Sequence, residues 1–222
     1  MTLLGIDTST SAASACVLRA DSESFEVVPS PARLQGPPAH AAELLPAVAD
    51  VMARAGLRWG DLDAIAVGVG PGAFTGLRIG ITTARALASA NELPLRRVSS
   101  LGALAAGIEA PLRLPLIDAR RGELFGALYK DGTQLWPPFA APLEDVIARV
   151  RKDGFTPLAA GDGSVRFRGM LEEAGIPVVS DDSRAHVVRA LHVCRLGTEA
   201  PDEPPEAILP DYLRDPDAKP QQ

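Results

Sequence analysis

The sequence predicts an α/β protein of two similar units, each running strand, strand, strand, helix, strand, helix, so that two mixed sheets are flanked by helices. Three observations predict it. Apolar runs of strand length alternate with stretches of helical periodicity along the whole chain. An apolar run ending in Asp occurs twice, as LLGID at Leu3–Asp7 and as LPLID at Leu114–Asp118, each followed by a polar turn and a further apolar run. A glycine turn, Gly70-Pro71-Gly72, follows the fourth strand of the first unit, and Gly161-Asp162-Gly163 holds the equivalent place in the second. The boundary is set at residues 1–108 for the first unit and 109–222 for a smaller second one.

Taken in order, Thr2–Asp7 reads as a buried strand entering a polar Asp-Thr-Ser-Thr turn, with Ala12–Leu18 and Phe25–Val28 as antiparallel partners. Four prolines make 29–38 a loop. His40–Ala55 places Leu44, Val48, Val51 and Ala55 on one helical face, and Gly56 ends that helix. Ala64–Val69 is a strand, and a helix opens at Thr75 or Gly76 and runs to about Ala90, before Pro94. Val98 begins a short strand and Leu101–Ile108 a helix. In the second unit, Leu114–Asp118 and Leu124–Tyr129 are strands. Pro142–Lys152 is a helix with proline in its first turn, Thr156–Ala160 a strand, and Val165–Ala174 and Arg184–Thr198 helices. Beyond Ala200 the chain turns proline- and acid-rich, with a short Tyr212–Arg214 segment before a polar tail expected to be disordered.

Composition narrows the function. The chain has 222 residues, 46% hydrophobic and 23% charged, as in an ordinary soluble protein. Residues 1–110 carry 8 basic and 10 acidic groups and residues 111–222 carry 14 and 18, so neither half has the basic excess of a nucleic-acid binder. No apolar window reaches the ~18 residues a membrane span needs, and the first ten residues lack the pattern of a signal peptide. Cys16 and Cys194 stand in no metal-binding spacing and suit a reducing compartment; a cytoplasmic location is expected.

The stretch VGVGPGAFTGLRIGI, Val67–Ile81, is the most informative. It holds five glycines and one proline, and between Ala64 and Asn91 there is no Asp or Glu. Glycine at that density sits where a backbone approaches something closely: a phosphate, a second protein, or the chain's own core. A strand before it and a helix after it suit an anion at a helix N-terminus, yet the spacing is neither that of a P-loop nor that of a dinucleotide fold. Gly76, Gly80, Ala84 and Ala88 form a stripe spaced by four that admits close packing, either against a partner or on the chain's own sheet. Asp7, with Thr8 and Ser9, could hold a magnesium-bound phosphate, or simply cap local amides. A phosphotransferase would need a general base near the glycine helix, where there is no acid. His40, His186 and His192 stand at no zinc spacing, and neither Ser nor Cys has an evident histidine partner. No complete catalytic set is evident.

Together these residues resemble a known family. LLGIDTST, His40 with Leu44-Leu45-Pro46, the block AVGVGPGAFTGLRIGITTARALA, Val98-Ser99-Ser100-Leu101, DARRGELF, Gly161–Gly163 and Tyr212–Arg214 are similar to the bacterial TsaB (YeaZ) family, related to TsaD and to the M22 glycoprotease-like superfamily. The resemblance implies a fold of the actin, sugar-kinase and Hsp70 (ribonuclease H-like) type. It implies a non-catalytic subunit of the machinery that makes N6-threonylcarbamoyladenosine at position 37 of tRNA. Such a subunit pairs with catalytic TsaD, acts with the ATPase TsaE, in some cases pairs with itself, and meets tRNA only through the complex. TsaD-type relatives carry an HxxxH metal motif after the glycine helix; the corresponding Val98–Leu104 here has no histidine. The pairing face implied is made by His40, Leu44, Leu45 and Val48 with Gly76, Leu77, Arg78, Gly80, Ile81, Ala84 and Arg85. Asp7, Thr8, Ser9, Gly70, Gly72, Gly161 and Gly163 would be turns inherited from nucleotide-binding ancestors. No tightly bound cofactor or metal is implied, only ATP or ADP with magnesium at an interface shared with the partner. An ATP-dependent phosphotransferase and an M22-like metallopeptidase are the alternatives on the same fold.

Overall fold

The computed structural model describes residues 1–214 of the chain; the polar tail expected to be disordered lies, from residue 215 on, outside the described residues. In the first half, β1 (Leu3–Asp7), β2 (Ser14–Leu18) and β3 (Ser24–Val27) form an antiparallel meander, and α1 (His40–Ala55) leads to β4 (Ala64–Gly70). Then come α2 (Phe74–Ala90), β5 (Leu95–Ser99) and α3 (Ser100–Ala106). The sheet order is β3-β2-β1-β4-β5, with β4 parallel to both β1 and β5. The second half repeats it. β6 (Leu112–Arg120), β7 (Glu123–Lys130) and β8 (Thr133–Pro142) form the meander, α4 (Leu143–Asp153) crosses over, and β9 (Leu158–Ala160) runs parallel to β6. A single parallel bridge between Ala159 and Val178 takes the place of a fifth strand. The expected duplication is therefore present at the level of strand order.

Helices separate the two sheets and cover their outer faces. α1 and α2 pack on the outer face of the first sheet, where Leu44, Val48, Val51, Leu77, Ile81 and Ala84 meet Leu4, Ile6, Val17, Ile65 and Val67. α3 lies between the sheets, bringing Leu101 and Leu104 against Ile117, Phe125 and Ala127. The far face of the second sheet is closed by α4 with α5 (Asp162–Arg166) and α6 (Arg168–Glu173). Alternating strands and helices leave each sheet apolar on both faces, which explains the unbroken apolar runs of β1, β2 and β4.

Several elements differ from expectation. β5 begins at Leu95 rather than Val98, because Arg96, only 8% exposed, is held by Asp202 and the Gly197 carbonyl and so sits inside the strand. β8 is an additional strand; its prolines 137, 138 and 142 are tolerated because it is the sheet's edge. The helix expected over Val165–Ala174 is two short ones, α5 and α6, divided at Phe167. Arg184–Thr198 is likewise not one helix but a 3-10 turn at Arg184–His186, an extended step, and α7 (Ala190–Gly197). α7 also breaks the simple division at residue 108. It packs on the first sheet, where Ala190, Leu191 and Cys194 meet Leu3, Cys16 and Ala64. Its start is tied down by Glu26, which accepts from Arg189 and from the Leu191 amide. Glu203 then pairs with Leu95, and the Asp211 amide donates to the Val69 carbonyl. From α7 to Asp211 the described chain thus packs mainly on the first half.

Candidate functional site

The first glycine turn closes on the first Asp turn. Asp7 ends β1 and is 1% exposed. Its Oδ1 accepts from the Ser9 amide (2.8 Å) and hydroxyl (2.6 Å), and its Oδ2 from the Ser100 hydroxyl (2.7 Å), which in turn accepts from the Gly70 amide. Burial pushes the Asp7 carboxyl up, against these hydrogen bonds, which lower it. The Thr8 hydroxyl donates to the Gly76 carbonyl, and the Ala73 amide donates to the Ser9 carbonyl. A Cβ at Gly72 would stand 2.4 Å from the Ser9 carbonyl oxygen, and one at Gly68 would stand 1.9 Å from Asp7 Oδ2. Asp7, Thr8, Ser9, Gly70 and Gly72 therefore fill one another's space. The arrangement is an internal brace and does not fit a magnesium-bound phosphate.

The second pair of turns follows the same plan with less closure. A Cβ at Gly161 would stand 2.0 Å from the Leu116 carbonyl, and one at Gly163 2.5 Å from a Leu124 methyl, so both glycines serve packing on β6 and β7. Asp162 Oδ1 accepts from the Asp118 amide (3.0 Å), and burial, with the Asp118 carboxylate adding to it, raises the Asp162 carboxyl to about 6. Asp118 pairs with Arg120 and with Arg166, whose side chains are 61% and 48% exposed. Arg121 and Gly122 form the tight β6–β7 hairpin, both with positive φ (54° and 83°).

Between the halves lies a cleft of about 760 Å³. One wall is the first turn of α2 with His40; the other is Asp118–Arg121; the segment Asp211–Arg214 crosses its mouth. Tyr212 stacks on Phe74 at 5.2 Å, and Arg78 lies 3.8 Å over Phe74 while its Nε donates to the Tyr212 hydroxyl (3.0 Å). Arg97 pairs with Asp211 and Arg214 with Glu123. Sequence reasoning did not single out Ser100, Phe74, Arg120 and Asp162 as site residues, although each lies inside a quoted motif, since the glycines and the Asp turn drew the chemistry; the YLR segment flagged Tyr212.

The helical face is also corrected. Gly76 and Gly80 lie against Thr8, where added Cβ atoms would stand 2.1 and 2.2 Å from its oxygens, and Ala84 and Ala88 are 0% exposed. The small-residue stripe thus packs on the chain's own β1 turn and sheet. His40, Leu44, Val48, Leu77 and Ile81 are buried with it, so none of these can face a partner. Of the residues expected on that face, Leu45 (53% exposed) and Arg78 are exposed and Arg85 is half-buried.

Each histidine is buried. His186 Nδ1 accepts from the Gly161 amide (3.1 Å) and its Nε2 faces the Val179 and Ser180 carbonyls. His192 sits under Gly107, and burial, reinforced by Arg189 and Arg195, lowers it to about 4. Among the described residues no three His, Cys, Asp or Glu side chains gather as metal ligands would, and no helix is long and apolar enough to cross a membrane.

With this geometry in place, comparison with known proteins is informative. Residues 27–167 match the family model described as TsaD, tRNA N6-adenosine threonylcarbamoyltransferase. A Bacillus subtilis protein described as tRNA threonylcarbamoyladenosine biosynthesis protein TsaB is 31% identical over 96% of this chain and 94% of its own length. The Escherichia coli protein of the same description is 38% identical over 61% of this chain and 58% of its own. The solved structure of YeaZ from Pseudomonas aeruginosa, 30% identical, covers 96% of this chain and 99% of its own with a TM-score of 0.72.

Proposed function

Because the chain belongs to the TsaB (YeaZ) family, we propose that it serves the biosynthesis of N6-threonylcarbamoyladenosine at position 37 of tRNA as a non-catalytic subunit. It pairs with a TsaD-type catalytic subunit in a heterodimer, acts with a TsaE-type ATPase, and meets tRNA through that complex in the cytoplasm. A second copy of the chain can take the partner's place in a homodimer, as some members of the family pair with themselves. Any ATP or ADP with magnesium is held at the interface with the partner, away from the sealed Asp7 turn.

The observation that carries this reading is the outer surface of α1 and α2. Its inward residues anchor the two helices rigidly on the first sheet, while Leu45 stands out at 53% exposure with Pro46 and Ala49 exposed beside it. An exposed apolar side chain on a rigid helix pair has the character of an interface anchor. The chain's own polar groups support an accessory role: Asp7, Ser9, Ser100 and His186 are all consumed in internal hydrogen bonds.

Reconstitution tests the proposal. The TsaD-type and TsaE-type proteins of the same organism are incubated with tRNA and the reaction's substrates, with and without this chain, and the modified nucleoside is measured. Product is expected only when this chain and the TsaD-type subunit are both present. Undiminished product without this chain, or product from this chain alone, contradicts the proposal.

A further inference from the structure

We infer that the segment Leu209–Arg214 is a releasable strap. It crosses the mouth of the cleft, clips the two halves together, and lets the cleft open when it comes away. The inference concerns the chain alone and goes beyond the subunit role proposed above.

The fastening of the chain changes abruptly at Ile208. Up to that residue the attachment is firm. Arg96 holds Asp202, Leu95 and Glu203 exchange both backbone hydrogen bonds (3.0 and 2.8 Å), and Ile208 is 0% exposed in the core of the first sheet. The next residue, Leu209, is 59% exposed, and no side chain from Leu209 to Arg214 is buried. The chain nevertheless turns back onto the protein instead of running out into solvent. The Asp211 amide donates to the Val69 carbonyl (2.8 Å), and a Cβ at Gly70 would stand 3.1 Å from the Asp211 carbonyl oxygen, so the segment lies directly on the β4–α2 turn. The step Leu209–Pro210 is therefore the hinge.

Beyond the hinge the grip extends to both halves. On the first, Asp211 pairs with Arg97 of β5, and Tyr212 stacks on Phe74 and accepts from Arg78. On the second, Arg214 donates to Glu123 Oε2 (2.7 Å) at the start of β7. Asp211, Tyr212, Leu213 and Arg214 all line the cleft, so the span between these two grips is the cover of its mouth.

The grip is of a weak kind. The side chains of the two ion pairs remain between 31% and 47% exposed, and the Phe74–Tyr212 stack is exposed as well. Exposed pairs contribute little and are screened by salt, and one aromatic stack adds only modestly to them. Segments with few buried contacts open locally at a small fraction of the global stability. Release here has a defined result: it uncovers Phe74, takes the acceptor from Arg78 and unties Glu123, which removes one connection between the halves.

Hydrogen exchange followed by NMR on the full chain tests release without any partner subunit, so its outcome is independent of the reconstitution above. The Asp211 amide should be protected, yet exchange at least about tenfold faster in Tyr212→Ala and about threefold faster in Arg214→Ala or at high salt. The Leu95 and Glu203 amides should be unchanged in all cases, with melting temperatures recorded as controls. The spanning role is read separately by spin labels at Ser89→Cys on α2 and Lys152→Cys on α4, both exposed sites, since the native Cys16 and Cys194 are buried. A single narrow distance distribution is expected, broadened when Tyr212→Ala and Arg214→Ala are combined. An Asp211 amide as slow as those of Leu95 and Glu203 and indifferent to salt and to both variants would make the segment a fixed part of the first half and overturn the strap. Unprotected exchange of Asp211 in the wild type would make it a free end, and an unchanged label distribution in the double variant would deny the clip; either result also overturns it.

Discussion

The two halves share one strand order but treat their Asp turns in opposite ways. Asp7 is sealed, its carboxylate satisfied by a serine amide and two serine hydroxyls, with the glycine turn packed directly on it. Asp118 sits at the cleft wall, its carboxylate neutralised by two arginines that reach into solvent. The difference teaches that a turn on the same backbone plan can be closed by short hydroxyls in one copy and by arginine pairs at the cleft wall in the other. What decides is whether neighbouring side chains are short hydroxyls, which close around the carboxylate, or long cations, which reach it from the solvent side.

Truncating the two carboxylates sharpens that contrast most. Asp7→Ala orphans three buried donors at about 1–3 kcal/mol each, and chemical denaturation should register a loss of at least about 3 kcal/mol. Asp118→Ala removes two ion pairs whose arginines are half exposed, together with the Arg120 amide hydrogen bond to a carboxylate that is itself 7% exposed, and should cost less, about 1–2 kcal/mol. Equal costs would break the comparison. Next come the glycines. Gly72→Ala forces a methyl against the Ser9 backbone and should destabilise by about 2–4 kcal/mol. Gly169→Ala, where nothing lies within 4 Å, should change the melting temperature little or raise it.

Titration separates the halves more gently. Asp162 has a folded value of about 6 against an ordinary 3.8, so the native state binds the extra proton. Its contribution to stability therefore grows as pH falls from about 6 towards 4. His192, lowered from 6.5 to about 4, acts in the opposite sense: the unfolded chain takes up the proton first, and stability is lost across the same fall. Asp162→Asn should raise stability near pH 8 by about 1–2 kcal/mol, after allowance for solvent screening. It should also leave a steeper acid loss. His192→Leu should flatten that loss. A denaturation series between pH 4 and 8 that shows neither change contradicts both assignments.

Much of the fold was legible because burial on both sheet faces writes itself as unbroken apolar runs, as at Leu3–Asp7 and Ala64–Gly70. α1 was legible to its ends through its apolar face and the left-handed Gly56. β8 was hidden by its edge prolines, and the start of β5 by Arg96 and Arg97, whose acidic partners lie more than a hundred residues away. The glycine stripe announced a close approach correctly, but periodicity carries no information about whose atoms approach. Thr8, 68 residues upstream of Gly76, is the answer. The cleft was illegible for a related reason: His40, Phe74, Arg120 and Tyr212 become neighbours only through the return of the chain end across both halves.

Sedimentation of this chain mixed with the TsaD-type subunit of its own organism, as wild type and as Leu45→Glu, tests the account most directly. The account predicts a 1:1 complex for the wild type and at least a tenfold weaker one for the variant, with an unchanged melting temperature. Two well-folded proteins that sediment separately, or a variant that pairs as tightly as the wild type, would contradict it.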